Sequence, residues 1–82
     1  MTLETIKNAQ NVVVGTKQTL KAIKSDKAKR VYVAGDAESH VINDIVQLCR
    51  EKNIIIEEVE SMAELGRACS IKVGAATACI FE

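Results

Sequence analysis

The chain has no proline and no tryptophan, and its only aromatic side chains are Tyr32 and Phe81. So few rings exclude the common mode of reading single-stranded RNA, in which unpaired bases stack on an aromatic sheet. Without proline, low-complexity tracts or repeats, nothing marks a linker, so residues 1–82 read as a single domain. A chain this short buries only about 60% of its unfolded surface, which demands a well-patterned core. Net formal charge is zero, which argues against a purely electrostatic polyanion binder. The one histidine, His40, and three widely spaced cysteines, Cys49, Cys69 and Cys79, contain no CxxC pair, so a zinc site lacks ligands. Each cysteine falls at an apolar position and reads as a small hydrophobe rather than a nucleophile. No base accompanies any of them, so neither an enzyme nor a cofactor is expected. There is no signal peptide and no apolar run of membrane length, and the expectation is a soluble cytoplasmic protein with reduced thiols.

Charge is present but segregated. Residues 1–34 carry seven cations against two carboxylates, and the remainder carries four against nine. A basic half beside an acidic half points to a localised anion-binding face.

The hydrophobic pattern alternates helix and strand. Leu3, Ile6 and Ala9 suggest a first short helix, with Thr2 as its N-cap. Val12–Val14 reads as a buried strand. Thr16, Leu20 and Ile23 give the next helix an inner stripe, with Lys17, Lys21 and Lys24 on the other side and an end near Ser25-Asp26. Residues 30–34 form a strand closed by Gly35-Asp36. Val41, Ile45, Leu48 and Cys49, widened by Ile42 and Val46, give the third helix its stripe, which ends near Asn53. Residues 54–56 are a third strand. Ser61 and Glu64 make a capping box for a helix from Met62 to Cys69, and a last strand covers Ala75 to Phe81, its small residues suited to close packing on both faces. The alternation implies an α/β fold with helices on both faces of a central sheet, the first three strands suited to parallel pairing.

Two segments carry the chemistry. In Gly15-Thr16-Lys17-Gln18-Thr19 a glycine stands at a strand-to-helix turn, where bare N–H groups and the positive helix end favour an anion. Lys17 and Lys21 stand four apart and share one face with Gln18. Cations, an amide and N–H groups at one helix end suit a nucleic-acid backbone and a few base edges. The second segment, Leu65-Gly66-Arg67-Ala68-Cys69-Ser70-Ile71-Lys72-Val73-Gly74-Ala75-Ala76, puts Ile71 and Val73 in a loop, where they make little sense as core, although a turn staple could need one of them.

Together the two segments resemble the kink-turn RNA-binding family of ribosomal-protein-like proteins, which includes archaeal and eukaryotic large-subunit proteins, guide-ribonucleoprotein core proteins and small bacterial paralogues. The resemblance covers nearly the whole chain, and the size is closest to the bacterial forms. It implies a three-layer α/β/α sandwich with a four-stranded mixed sheet in the order 1-4-2-3 and an antiparallel last strand. It further implies recognition of a kink-turn with two sheared G·A pairs, in ribosomal RNA, a riboswitch or another non-coding RNA, by a monomer. Gly15 and Thr16 would meet the RNA backbone, Lys17 and Gln18 guanine acceptor atoms, and Lys21 a base edge or phosphate, with Lys24 further along the helix. Ile71 and Val73 would pack on a flipped-out nucleotide, with Lys72 between them. Archaeal members commonly read Gly-Thr-Asn-Glu-x-x-Lys at the first segment. Here Lys17 and Gln18 replace Asn and Glu, Lys72 stands where an acid is common, and Ser70 replaces a frequent glycine. The rival reading is a small α/β protein-interaction or regulatory module whose acidic half meets a basic partner. His40 reads as a surface residue, and Glu57-Glu58 as a solvated strand edge.

Overall fold

The computed structural model describes residues 11–81. The helix expected around Leu3–Ala9, with its Thr2 cap, lies outside the described residues. Those residues form β1 (Val12–Val14), α1 (Thr16–Lys24), β2 (Ala28–Ala34), α2 (Ser39–Lys52), β3 (Ile55–Val59), α3 (Met62–Ala68) and β4 (Thr77–Phe81). The four strands make one open mixed sheet in the order β1-β4-β2-β3. β4 is antiparallel to both neighbours, and β2 and β3 are parallel. The implied 1-4-2-3 order with an antiparallel last strand therefore holds. Parallel pairing of the first three strands holds only for β2 with β3: β1 runs in their direction but is separated from them by β4. Three strands also differ in extent: β2 begins at Ala28, β3 runs from Ile55 to Val59, and β4 begins at Thr77 rather than Ala75.

Strand side chains alternate between faces, and β2 feeds two cores in this way. Val31 and Val33 join Ile23 of α1, Ile45 and Cys49 of α2 and Cys79 of β4 on one side. Tyr32 and Ala34 join Val59, Ala78 and the α3 residues Leu65 and Ala68 on the other. The result is the three-layer α/β/α sandwich. Each fully buried large aliphatic side chain contributes roughly 1.5–3 kcal/mol of transfer free energy, so the two clusters hold the layers together. On α1 the buried pair is Thr19 and Ile23 rather than Thr16, Leu20 and Ile23. Thr19 is tolerated inside because its hydroxyl accepts a hydrogen bond from Thr77 Oγ1 at 3.3 Å.

All three described helices end the same way without glycine. Asp26, Asn53 and Ser70 each have φ near +60°. At each, paired backbone bonds close the helix: Asp26 and Lys27 N–H donate to Ile23 and Ala22, Asn53 and Ile54 to Arg50 and Cys49, and Ser70 and Ile71 to Arg67 and Gly66. This is the Schellman pattern. The expected capping residue of α3 is seen too: Ser61 Oγ accepts from the Glu64 N–H at 3.1 Å. The Met62 N–H donates to Asp36 Oδ1 at 2.8 Å, tying the turn after β2 to the same helix start. α3 itself stops at Ala68, with Cys69 as its C-cap.

Candidate functional site

Gly15 opens α1 at φ 102°, ψ 153°. That region of backbone space is essentially reserved for glycine. A Cβ there would meet nothing within 4 Å, so conformation and not crowding requires the glycine. Its N–H donates to Thr77 O and its carbonyl accepts from Thr19 N–H, both at 2.9 Å, which fixes the helix start against the first residue of β4. The first turn has neither a side-chain cap nor an acidic residue. The early N–H groups of α1 therefore keep their donor capacity and the positive end of the helix dipole is not neutralised from within. Lys17, Gln18, Lys21 and Lys24 are exposed and Thr16 is half-buried. Lys17, Lys21 and Lys24 border one shallow depression on the outer flank of α1.

The second segment divides. Ile71 is half-buried against the α3-side core, filling the staple position that follows a Schellman end. Val73 is 71% exposed, the more exposed of the two large hydrophobic residues left on the described surface. Lys72 is exposed as well. Ser70, at φ 64°, holds the left-handed turn that a glycine would adopt without strain.

Two residues that sequence reasoning passed over hold this loop. Gly66 is buried within α3, and a Cβ on it would run into the Val73 carbonyl oxygen. Gly74 lies on Met62, where a Cβ would come within 3.1 Å of the Met62 Cβ. The Ile71 N–H to Gly66 O and Ala75 N–H to Met62 O bonds, each 3.0 Å, pin both ends of the loop to α3. A lone glycine in a helical pattern is the signal that could have revealed this close approach.

The topology brings the two segments to one edge of the sheet. Val14 is opposite Ala78, Val33 is opposite Thr77, and Ala34 N–H donates to Ala76 O at 2.9 Å. Gly15 and the Ile71–Val73 loop thus meet the same end of β4, one through a hydrogen bond and the other through the chain leading into Thr77. This edge is also where β1, β2 and β3 end, the usual ligand-binding side of an open α/β sheet.

The remaining candidates resolve more simply. His40 is exposed, with Nε2 3.4 Å from Glu38 Oε2. Glu57 pairs with Arg30 at 3.1 Å, while Glu58 is exposed. Burial pushes the Cys49 and Cys79 thiols up to about 11 and also raises that of Cys69, which makes all three poor nucleophiles near neutral pH. Among the described residues no cluster of His, Cys, Asp and Glu could hold a metal ion, and no helix is long and apolar enough to cross a membrane.

A mixed α/β/α sandwich with a glycine-opened basic helix and an apolar loop at one sheet edge defines the class, and sequence comparison gives the family. The family model described as "Ribosomal protein L7Ae/L30e/S12e/Gadd45 family" matches residues 1–82, and the chain belongs to that family. It is 56% identical over 66 residues to "RNA-binding protein TTE2299" of Caldanaerobacter subterraneus subsp. tengcongensis, covering 80% of each chain. It is 41% identical over 82 residues to "RNA-binding protein YbxF" of Geobacillus stearothermophilus, covering all of both. Among solved structures, the "Giardia lamblia 15.5kD RNA binding protein" superposes with a TM-score of 0.86 at 26% identity, covering 98% of this chain and 68% of that one.

Proposed function

We propose that this protein is a non-enzymatic RNA-binding protein that recognises a kink-turn and stabilises its bent form. The observation that carries the reading is the meeting, at one end of β4, of an uncapped, acid-free helix start bearing Lys17, Gln18 and Lys21 with an exposed apolar residue, Val73. Relatives that bear the name RNA-binding protein over the full length of the chain support it.

In this reading, the start of α1 enters the widened groove at the kink. Gly15, whose own N–H is committed to Thr77 O, lets the RNA backbone approach closely, and the Thr16 N–H and hydroxyl hold phosphates. Lys17 and Gln18 donate to guanine O6 and N7, a pairing that discriminates by roughly 1–3 kcal/mol per well-formed contact. Lys21 reaches a base edge or a phosphate. Val73 covers the flipped-out nucleotide, Ile71 supports it from the core side, and Lys72 adds a cation. The protein binds the kinked state better than the extended one and so draws the RNA into it. It acts as a monomer in the cytoplasm, where its three free thiols stay reduced.

The test is a gel shift with a kink-turn RNA, a variant lacking the G·A pairs and a plain duplex of the same length, at physiological salt. Selective binding of the kink-turn is expected, with selectivity reduced in Gln18→Ala. Equal affinity for the plain duplex would sink the reading, since charge alone would then account for binding.

A further inference from the structure

The two flanks of α1 face different charge. Towards α2, Lys24 shares a groove with Leu20, Leu48, Gln47 and the carboxylates of Asp44 and Glu51. Towards β1, Lys27 shares a depression with Gln18, Lys21, Ser25 and Phe81, and no carboxylate lines it among the described residues. Asp26, next to Lys27 in sequence, is engaged elsewhere: Lys52 Nζ stands 2.6 Å from its Oδ1. The Ser25 hydroxyl is committed as a donor to Lys21 O at 2.8 Å, so the two ammonium groups are the cations available to an anion there. The depression is continuous with the proposed base-reading residues, because Gln18 and Lys21 belong to both.

We infer that one strand of the RNA, on leaving the kink, runs along the β1 flank of α1, with its phosphodiester groups at Lys21 and Lys27 and a ribose or base edge against Phe81. Lys24 lies off that path. Lys24 also borders the outer depression with Lys17 and Lys21, but on its α2 side it shares a groove with Asp44 and Glu51, and a phosphate held there meets like charges that offset much of the attraction. This rests on the kink-turn reading and adds to it a direction for one arm and a role for Lys27 that its distance from the Gly15–Thr19 segment conceals.

The experiment measures affinity for a kink-turn RNA across a salt series for the wild type, Lys24→Gln, Lys27→Gln and Phe81→Leu. Removing one lysine–phosphate pairing flattens the log–log salt slope by about 0.7–0.9, equivalent to about a five- to tenfold drop in affinity at 0.1 M salt. Lys27→Gln is expected to show that drop, and Lys24→Gln less than half of it, with discrimination against the G·A-deficient RNA unchanged in both. Shortening one arm of the RNA, but not the other, should abolish the difference between Lys27→Gln and the wild type. Phe81→Leu, which keeps an apolar side chain beside the core, should lose affinity on the long-armed RNA only. Equal effects of Lys24→Gln and Lys27→Gln, or a Lys27 effect indifferent to both arms, overturn the inference while leaving the kink-turn reading intact. Failure of the wild type to discriminate overturns the kink-turn reading itself.

Discussion

Replacing Gly66 with alanine sets two well-defined effects against each other. In the interior of α3 alanine is the better helix former by about 1 kcal/mol. Against this, the new Cβ meets the Val73 carbonyl oxygen and lies 3.1 Å from the Gly74 Cα, all backbone atoms that cannot rotate aside. The segment from Ile71 to Gly74 must therefore lift from the helix. Lifting breaks the Ile71–Gly66 and Ala75–Met62 hydrogen bonds, each worth about 1 kcal/mol net, and costs about 1 kcal/mol more as Ile71 loses part of its packing. After the helix gain is subtracted, Gly66→Ala should destabilise the fold by about 2 kcal/mol, or about 10 °C in melting temperature for a domain of this size. Urea melts followed by circular dichroism give the first readout. Kink-turn affinity at a temperature where the variant is fully folded gives the second, and it should fall because Val73 has moved. Ala63→Gly, at an exposed position of the same helix, calibrates the propensity effect alone. If Gly66→Ala melts above the wild type and binds RNA equally well, the close approach of loop and helix does not govern the site.

Ser70→Gly should raise stability by a few tenths to 1 kcal/mol in the same melts, since it relieves a left-handed residue at a small entropic cost, and RNA affinity should hold. The thiols give a pH prediction with a definite sign. The folded-state values of Cys49 and Cys79 lie near 11, raised from about 9, so their stabilising contribution is complete below about pH 9 and disappears as pH rises through 11. Stability measured from pH 8 to pH 11 should fall, and the fall should be shallower in the Cys49→Ala, Cys79→Ala double variant. Alanine or valine at all three cysteines should cost about 1 kcal/mol each and leave kink-turn affinity near wild type, and a large affinity loss in the folded triple variant would return thiol chemistry to the function.

Much of the fold was legible because β2 alternates two sets of apolar residues. Val31 and Val33 against Tyr32 and Ala34 announce a strand covered on both sides. The position of β4 was not legible from the residues themselves, because strand order is decided by long-range pairing that leaves no local trace, and it came from resemblance. Thr19 was missed as a buried residue since its inward turn depends on the hydroxyl of Thr77, 58 positions away. Within the candidate site, exposure of Lys17, Gln18, Lys21 and Lys24 followed from helical spacing. Ile71 and Val73 looked alike in sequence, and only the Schellman end after α3 separates the half-buried staple from the exposed residue. Ile55 shows the same limit: it sits in an apolar run yet is 55% exposed, because β3 is an edge strand.

The central seat of β4 also sets an order of events in synthesis. A ribosome makes Gly15 long before Thr77, yet the Gly15 N–H donates to Thr77 O, and among the described residues β1 finds its sheet partner in β4. Until β4 emerges, the nascent chain has a helix start without its Thr77 anchor and a first strand without β4 beside it. Closing so long a loop is slow compared with forming a helix, so the N-terminal half waits. The lysines of α1 can therefore be translated, exposed and helical while the surface that orients them is still missing. Discrimination among RNAs should arrive abruptly with the final strand, and a nascent chain arrested before Thr77 should bind RNA only through undirected charge.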